Sequence, residues 1–549
     1  MDTDFSTLNA WLLVTAIFLP VLIGLILLAG RVLPRSGVSG LAFLGFAVPA
    51  VVVLWFLLPV SGPLDAILRL RVDGPWLFKL GLNGVSAPLF AMTAVVGLAA
   101  GLKALIQEVE ARTTYLGLIL FMFGGTLAVF ATDNIIGFYF FHEFALIPTF
   151  ILTLFWGGEG RRSAAMQMAI YLTVGAMLSL GGILIAMEVA GLSWNDATFA
   201  ALFQGLFAAD APLPAATGAM TLFGLGTLAS LFPFHSWAAP GYSAAPTPVS
   251  MLHAGALKKF GLYGIVMIAA ASMQIGQGTL GQWFFWCALA NLLIVGLICM
   301  AQRDLKQLLS WSSVAHMGPI FLGLWVGTAK GEAAGIDAAI FLMVAHGLSC
   351  AALFLLANAV RTRTGTYRFE ELGGLAARTP VLAAFFIAAT MASIGLPGFG
   401  NFWGEIGVFL SLRAEPLWVQ ALVASTVVVS AIYALRAVAT VFFGPASKHI
   451  EERAAHAPFG DLGFTERLAA TLLLGASMTI GFVPSLVTQC TNNRCPRYGF
   501  VPSLVTQCTN TDARGIAAAA LRSASPKTPA VPVIPPAAPK ATTPAPSAR

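Results

Sequence analysis

Residues 231–264 read LFPFHSWAAPGYSAAPTPVSMLHAGALKKFGLYG, an apolar stretch that holds four prolines followed by two adjacent lysines. Proline lacks a backbone N–H and its ring clashes with the preceding turn, so no regular helix runs through residues 233–248. In a bilayer, irregular backbone is tolerated only where it is buried in protein or lines a wet cavity. The stretch therefore predicts a broken helix that returns into the next span, with Lys258 and Lys259 inside that span.

The composition of the whole chain indicates a membrane protein. Of its 549 residues, 58% are hydrophobic and 10% are charged, and the mean hydropathy is +0.83. A soluble globular domain carries about 25% charged residues. The chain is therefore predicted to be an all-α polytopic membrane protein. Its net charge of +6 predicts no nucleic-acid partner, because most basic residues flank the apolar windows and follow membrane topology.

Apolar windows of about 17–25 residues, each long enough to cross the ~30 Å hydrocarbon core, recur about 14 times. The seventh and twelfth windows carry the proline and glycine interruptions, and breaks in corresponding positions of two halves are typical of inverted-repeat transporters. Their spacing suggests two inverted five-helix repeats, each containing a broken helix. The windows are 9–30, 40–60, 84–102, 114–132, 135–157, 165–190, 217–233, 248–272, 281–301, 307–328, 336–360, 380–412, 416–443 and 466–486.

The positions of the basic residues orient the bundle. Most of them fall on one set of alternate loops, and the positive-inside rule places that set in the cytoplasm. The N-terminus is then expected outside and, with an even number of spans, so is the C-terminus.

The predicted spans divide the chain into five segments. The last contains a duplication, because the letters GFVPSLVTQCTN occur at 481–492 and again at 499–510, and its Pro/Ala-rich end is expected to be disordered. The segments are N-terminal helices at 1–84, a first five-helix repeat with its preceding helix at 85–272, a second five-helix repeat at 273–443, a last helix at 444–490, and the duplicated segment and tail at 491–549.

Ionisable groups lie deep inside these apolar windows. An ionised side chain at the bilayer centre costs about 2.5–3.5 kcal/mol on insertion scales, and such groups mark ion or proton pathways. Histidines in the same spans can change charge near neutral pH. The candidate site residues are Glu143, His235, Lys258, Lys259, His316, His346 and Glu405.

Each of these groups also has a structural interpretation. A buried carboxyl such as Glu143 can stay neutral and hydrogen-bonded for helix packing. His142 lies beside it but about 100° around the helix, and it is interpreted as a packing residue. One of the two lysines could reach the interface by snorkelling, but both lie about ten residues from the start of their span, too deep for an easy escape.

Motifs for redox cofactors, metals and nucleotides are missing from the sequence. No CxxC or Cys/His metal-ligand spacing occurs, and no glycine-rich loop follows a strand pattern. Cys287, Cys299 and Cys350 lie in spans, where small apolar packing residues are expected. Any redox cofactor is therefore expected to belong to a partner.

At these residues the chain resembles the subunit M (chain 4) family of respiratory complex I, the proton-translocating NADH–quinone oxidoreductase. Mrp-type cation/proton antiporter subunits are wider relatives. The resemblance covers roughly residues 85–485, and subunit M is favoured over subunit L because no long amphipathic helix follows the last span. The similar segments are HEFALIPTF (142–150), FPFHSW (232–237), APTPVSMLHAG (245–255), RDLKQLLSWSSVAHMG (303–318), MVAHGLSCAALFLL (343–356), FEELGGL (369–375) and MASIGLPGFGNFWGE (391–405).

The resemblance implies fourteen helices and a proton-translocating subunit in a bacterial inner membrane. It implies L-like and N-like membrane subunits as partners. NADH, FMN, iron–sulfur clusters and quinone would be held by partner subunits, with no cofactor in this chain. By position, the family's functional residues match Glu143 on the fifth helix, Lys259 on the eighth, the connecting histidines His316 and His346, and the terminal acid Glu405.

One position departs from the family. Leu228 stands where the seventh helix of the family carries a lysine, so the usual cation partner of Glu143 is missing, and the additional Lys258 is a candidate substitute. We expect Lys258 or Lys259 to pass charge through His316 and then His346 towards Glu405. The alternatives are an Mrp-type antiporter subunit without redox coupling and a scaffold that has lost pumping.

Overall fold

A computed structural model describes residues 2–30, 34–58, 67, 70–74, 79–209, 213–270, 275–456 and 460–488. Within these ranges the chain is almost entirely helical, with one short antiparallel hairpin. The predicted tail at 491–549, including the second copy of the duplicated letters, lies outside the described residues.

The first half begins with helices that flank the hairpin, in which Arg71 pairs with Gly81. Its later helices are shorter, and two π-helical turns interrupt the last of them. The elements are α1 Asp2–Ala29, α2 Arg35–Leu57, β1 Arg71–Val72, β2 Leu80–Gly81, α3 Ser86–Ile106, α4 Arg112–Ala131, α5 Ile135–Trp156, α6 Arg161–Val189, α7 Phe199–Ala208, α8 Ala215–Leu228, α9 Ala238–Ala244, α10 Thr247–Leu252, the π turn His253–Leu257, α11 Lys259–Gly264 and the π turn Ile265–Ala270.

The second half contains the longest helix of the described residues, α15, whose apolar window is completely buried. Helices α13 and α17 pack against it and bring the later candidate residues together. The elements are α12 Gly278–Met300, α13 Leu305–Ala315, α14 Met317–Lys330, α15 Ala333–Thr364, 3₁₀ turns at Phe369–Glu371 and Leu375–Ala377, α16 Pro380–Ser393, α17 Gly400–Ser411, α18 Leu417–Phe442, α19 Lys448–His456, α20 Phe464–Phe482 and α21 Ser485–Thr488.

Nine helices in the described part of the chain are long and apolar enough to cross a bilayer, namely α1–α6, α12, α15 and α18. The other predicted windows lie over helices that are shorter or interrupted. The helical polytopic fold is thus confirmed, while the count of about 14 spans and the division into segments at 84, 272, 443 and 490 stay predictions.

Both predicted breaks are present, at 229–237 between α8 and α9 and at 394–399 between α16 and α17. At each break, a buried asparagine side chain donates a hydrogen bond to a backbone carbonyl. Asn291 donates its side-chain N–H to Ser230 O at 2.9 Å, and Asn401 donates to Ser393 O at 3.3 Å. Backbone groups at membrane depth must be satisfied within the protein, so these amides stabilise the interruptions.

The eighth span is helical but irregular at the π turn His253–Leu257. The Lys258 backbone N–H donates to His253 O at 2.9 Å, one residue further back than in an α-helix. The Ala254 carbonyl is thereby released from its ordinary α-helical partner, the Lys258 N–H. The turn lies directly before the two lysines and changes the directions in which they project.

Candidate functional site

Glu143 lies on α5 and is only partly buried. Its side chain is 33% exposed, whereas the adjacent His142 is 3% exposed. His142 Nδ1 lies 3.5 Å from Glu143 Oε1, and the His142 ring stacks on Phe260 with centroids 3.8 Å apart. Among the described residues, the basic side chain within 4 Å of the Glu143 carboxylate is therefore this histidine and not a lysine. The interpretation of His142 as packing alone is incomplete.

Leu228 is buried at the C-terminal end of α8. Its apolar side chain occupies the position at which the resemblance implies a lysine. The first half of the molecule therefore offers Glu143 no cation from this position, as the sequence comparison indicated.

The Lys258 ammonium is fully partnered inside the protein. An ammonium group has three N–H donors and no acceptor. Lys258 Nζ donates to the main-chain O and to the Oγ of Ser313, each at 2.8 Å. It also lies 5.3 Å from the centre of the Tyr242 ring, where a cation–π interaction is favourable. The deep burial expected for this lysine is confirmed, with 1% of the residue exposed.

Lys259 turns in a different direction from its neighbour. It is fully buried, and its Nζ donates to Ala254 O at 2.7 Å, the carbonyl released by the π turn. Within the described ranges this is its one protein hydrogen bond, so Lys259 does not share the hydrogen-bond partner of Lys258.

His235 is not brought into the lysine cluster. It lies in the first break, stacks on Phe232 with centroids 5.1 Å apart, and its buried Nδ1 has no hydrogen-bond partner among the described residues. His253 lies closer to the lysines, between Trp237 and Tyr242. Its surroundings are aromatic.

Ser313 on α13 connects Lys258 to α15. Its Oγ lies 3.2 Å from His346 Nε2, and Cys350 Sγ donates to it at 3.4 Å. The His346 ring is in turn 5.5 Å from the ring of His316, measured between centroids. The described contacts thus lead from the lysine to both histidines.

His316 is the junction between α13 and α14 and faces Glu405. Its Nδ1 lies 3.8 Å from Glu405 Oε1, and its Nε2 lies 3.4 Å from the hydroxyl of Tyr433. That hydroxyl is 3.0 Å from Ser312 Oγ. The two ring nitrogens of His316 therefore have different neighbours, the Tyr433 hydroxyl at Nε2 and the Glu405 carboxylate at Nδ1.

Glu405 lies beside a cavity of about 390 Å³ between α12, α14, α17 and α18. Its side chain is 17% exposed. One water takes about 30 Å³ of liquid volume, so this cavity has room for several waters beside His316, Glu405 and Tyr433, although most of its lining is apolar. The acid is thus placed between the histidines and a space that can be hydrated.

The contacts have the order Lys258, Ser313, His346, His316, Glu405. This differs from the expected sequence of the two histidines, because His346 is the one near the lysine and His316 the one near the acid. Ser313 and Tyr433 were not singled out from the sequence. A buried serine or tyrosine carries no formal charge, so its cost in a membrane span gives no comparable signal.

Gly395 leaves room for the Glu405 carboxylate. Its φ is +73°, and a Cβ at this position would overlap Glu405 Oε2. We expect Gly395→Ala to displace the carboxylate from His316 and to lower proton translocation. The measurement is acidification of inverted membrane vesicles, followed with a pH-sensitive dye.

Gly444→Ala is the matched control for Gly395→Ala. Gly444 has φ +77°, and a Cβ added there would meet nothing within 4 Å. Alanine at this position therefore adds the same backbone strain, about 1–2 kcal/mol, without touching a carboxylate. Equal losses of translocation in the two variants would show that strain, and not the position of Glu405, causes the effect.

A metal site is not formed by the described residues, because no group of three or more His, Cys, Asp or Glu side chains is close enough to hold an ion. The candidate groups instead form a line of single proton donors and acceptors. Such a line is suited to moving a proton.

Residues 132–433, which include every candidate site residue, match the transmembrane family described as NADH:quinone oxidoreductase/Mrp antiporter. NAD(P)H-quinone oxidoreductase chain 4 of Acaryochloris marina is 31% identical over 423 residues, covering 75% of this chain and 76% of the relative.

Solved structures share the fold. A chain of respiratory complex I from Thermus thermophilus has a TM-score of 0.77 at 28% identity, covering 92% of this chain and 99% of that one. A chain of the Mrp complex from Dietzia has a TM-score of 0.74 at 19% identity, covering 93% and 97%. The second likeness concerns the fold alone.

Proposed function

Because the chain belongs to the NADH:quinone oxidoreductase/Mrp antiporter transmembrane family, we propose that it is subunit M of a proton-pumping NADH:quinone oxidoreductase. In this role it translocates protons through its buried Glu, Lys and His residues, driven by quinone reduction in other subunits. Similarity to curated chain 4 proteins supports this assignment.

One observation carries the proposal. Lys258, Ser313, His346, His316 and Glu405 form a line of polar groups through the interior, with the buried ammonium at one end and the acid beside a cavity at the other. Polar groups of this kind are expensive in a membrane span and mark proton relays. A scaffold without transport has no need of such a line.

The remaining parts of the proposal concern the complex. The chain acts as a non-redox subunit, and NADH, FMN, iron–sulfur clusters and quinone are bound by partner subunits. L-like and N-like membrane subunits flank it in a bacterial inner membrane. Glu143, partly exposed on α5, acts electrostatically through His142, which lies between it and Phe260 at the start of α11.

The test uses the intact complex in liposomes without sodium. With NADH and a quinone, we expect proton movement that stops when a protonophore is added and that requires electron transfer. Quinone reduction at full rate with no proton movement would contradict the proposal. The control is the same complex without NADH.

The Mrp-type antiporter remains the second candidate, supported by the shared fold of the Dietzia chain. It predicts exchange of sodium for protons under an imposed pH gradient with no electron donor. Sodium exchange of this kind in liposomes, together with no response to NADH and quinone, would favour the antiporter over the pump.

A further inference from the structure

Ser313 hydrogen-bonds both to the buried Lys258 and to His346, one of the two histidines. It lies on α13, is 2% exposed, and faces Lys258 on one side and His346 and Cys350 of α15 on the other. The three distances from its Oγ are 2.8 Å to Lys258 Nζ, 3.2 Å to His346 Nε2 and 3.4 Å to Cys350 Sγ.

The hydrogen-bond capacity of the hydroxyl fixes its direction. A serine hydroxyl donates one hydrogen and accepts two. In the state with Lys258 protonated, its ammonium can only donate, and Cys350 donates its S–H, so the two acceptor sites are filled. In this state the hydroxyl hydrogen is assigned to His346 Nε2, and a neutral His346 then carries its own proton on Nδ1, which has no hydrogen-bond partner among the described residues.

We propose that the Ser313 hydroxyl passes the proton from Lys258 to His346, an inference that rests on the proposed function and adds a residue to it. In the step, a Lys258 N–H bond breaks as a new O–H bond forms on Ser313. The original Ser313 O–H bond breaks as an Nε2–H bond forms on His346. Lys258 becomes a neutral amine, His346 becomes an imidazolium, and the serine is unchanged.

The space beside the Ser313 hydroxyl is small. The cavity lined by Ser313, His346 and Cys350 has a volume of about 10 Å³, at the lower end of the roughly 10–15 Å³ that one water needs. The larger cavity lies further on, at Glu405. A direct hydroxyl bridge therefore fits the packing around Ser313.

The geometry also distinguishes the two lysines. Lys258, the additional lysine, forms the bond to Ser313, whereas Lys259, which matches the family position, is turned back to Ala254 O. The transfer to Ser313 therefore starts at Lys258.

The test compares Ser313→Val with Ser313→Thr in the intact complex, because valine and threonine have the same shape and differ by the hydroxyl. Positioned proton transfer contributes about 10²-fold or more, so we expect redox-driven proton uptake to fall by about that factor in the valine variant. Threonine should restore most of it.

Ser313→Ala supplies a second, independent variant that cannot overpack the site. Lys258 remains held by the main-chain O of Ser313, so this change removes the bridge without releasing the ammonium. Ser310→Ala is the matched control, since its buried hydroxyl bonds only to Lys306 O of the same helix. The control should pump as the wild type does.

Normal pumping by Ser313→Ala and Ser313→Val would overturn the inference. A lower rate in Ser310→Ala equal to that in Ser313→Ala would do the same, because it would indicate a general effect on α13. The complex with Glu405→Gln separates this failure from failure of the proposed function. If that complex is blocked while Ser313→Ala pumps normally, only the serine step is wrong.

Discussion

Replacing Lys258 with methionine is expected to abolish redox-driven proton translocation while the subunit still folds and assembles. Methionine is similar in length to lysine and apolar, so it fills the same space without a proton to carry. Loss of a positioned donor lowers a proton-transfer rate by about 10²-fold or more. The measurement is vesicle acidification per quinone reduced, with reduction of an artificial acceptor as the check on assembly.

Stability provides a second readout for Lys258→Met. Taking a charge out of water costs several kcal/mol, and replacing buried ionic groups with well-packed apolar ones is often neutral or stabilising. We therefore expect the Tm of the complex to stay the same or to rise as pumping is lost. A folded and assembled variant that pumps normally would contradict the assigned role, and a variant that unfolds would contradict the expected stability.

Lys306→Met is the matched control for this change. Lys306 is also a buried lysine, 5% exposed, and its Nζ donates to the carbonyl of Ala245 at 2.7 Å. It is not in contact with Ser313, His346, His316 or Glu405 among the described contacts. The assembled control should therefore keep its proton translocation.

Glu405→Gln is expected to have an effect of similar size, about 10²-fold or more on proton translocation. Glutamine keeps the shape of the side chain and can still hydrogen-bond to His316, but it does not take up or release a proton. Because His316 Nδ1 lies 3.8 Å from the carboxylate, the proton then has no titratable acceptor next to the cavity. Vesicle acidification is again the measurement.

Glu415→Gln controls for the loss of one carboxylate near the same helix. Glu415 pairs with Lys330 at 3.0 Å, away from the histidines, and should be dispensable for pumping. A Glu405→Gln complex that acidifies vesicles at the wild-type rate would show that the route leaves the protein from another group.

The ionisable residues of the site were predictable from the sequence, because such residues are energetically costly in a membrane span and therefore rare there. A lysine or glutamate in an apolar window stands out against the residues around it, and the burial of Lys258 and Lys259 is confirmed, while Glu405 is partly buried beside the cavity. The partial exposure of Glu143 was not predictable, because the sequence does not tell which face of α5 is covered by neighbours.

Other parts of the site depend on which helices pack against each other, and the sequence pattern does not show this. Ser313 and Tyr433 are ordinary residues in a membrane helix until α13 lies beside α15 and α18. The order of His346 and His316 follows from the same packing, since both rings are central in their spans. Sequence patterns identify the ionisable residues of such a site more readily than the uncharged residues that contact them.

The breaks and the π turn show the same limit in the backbone. The prolines at 233–248 and the glycines at 395–400 predicted the two interruptions, because these residues disrupt regular helices. The letters HAGAL at 253–257 contain no comparable signal. The sequence also did not indicate that Asn291 and Asn401 would hydrogen-bond to the backbone at the two breaks. Asn291 reaches Ser230 from another helix, and Asn401 reaches Ser393 across its own break.

The π turn before the lysines gives Lys259 a backbone acceptor of its own. Neighbouring residues lie about 100° apart around any helix, so Lys258 and Lys259 project in different directions, and Lys258 Nζ reaches Ser313 on α13. The turn releases Ala254 O from its ordinary α-helical partner, and this carbonyl accepts from Lys259 Nζ, so a local change of winding inside one helix supplies a binding position for the second ammonium.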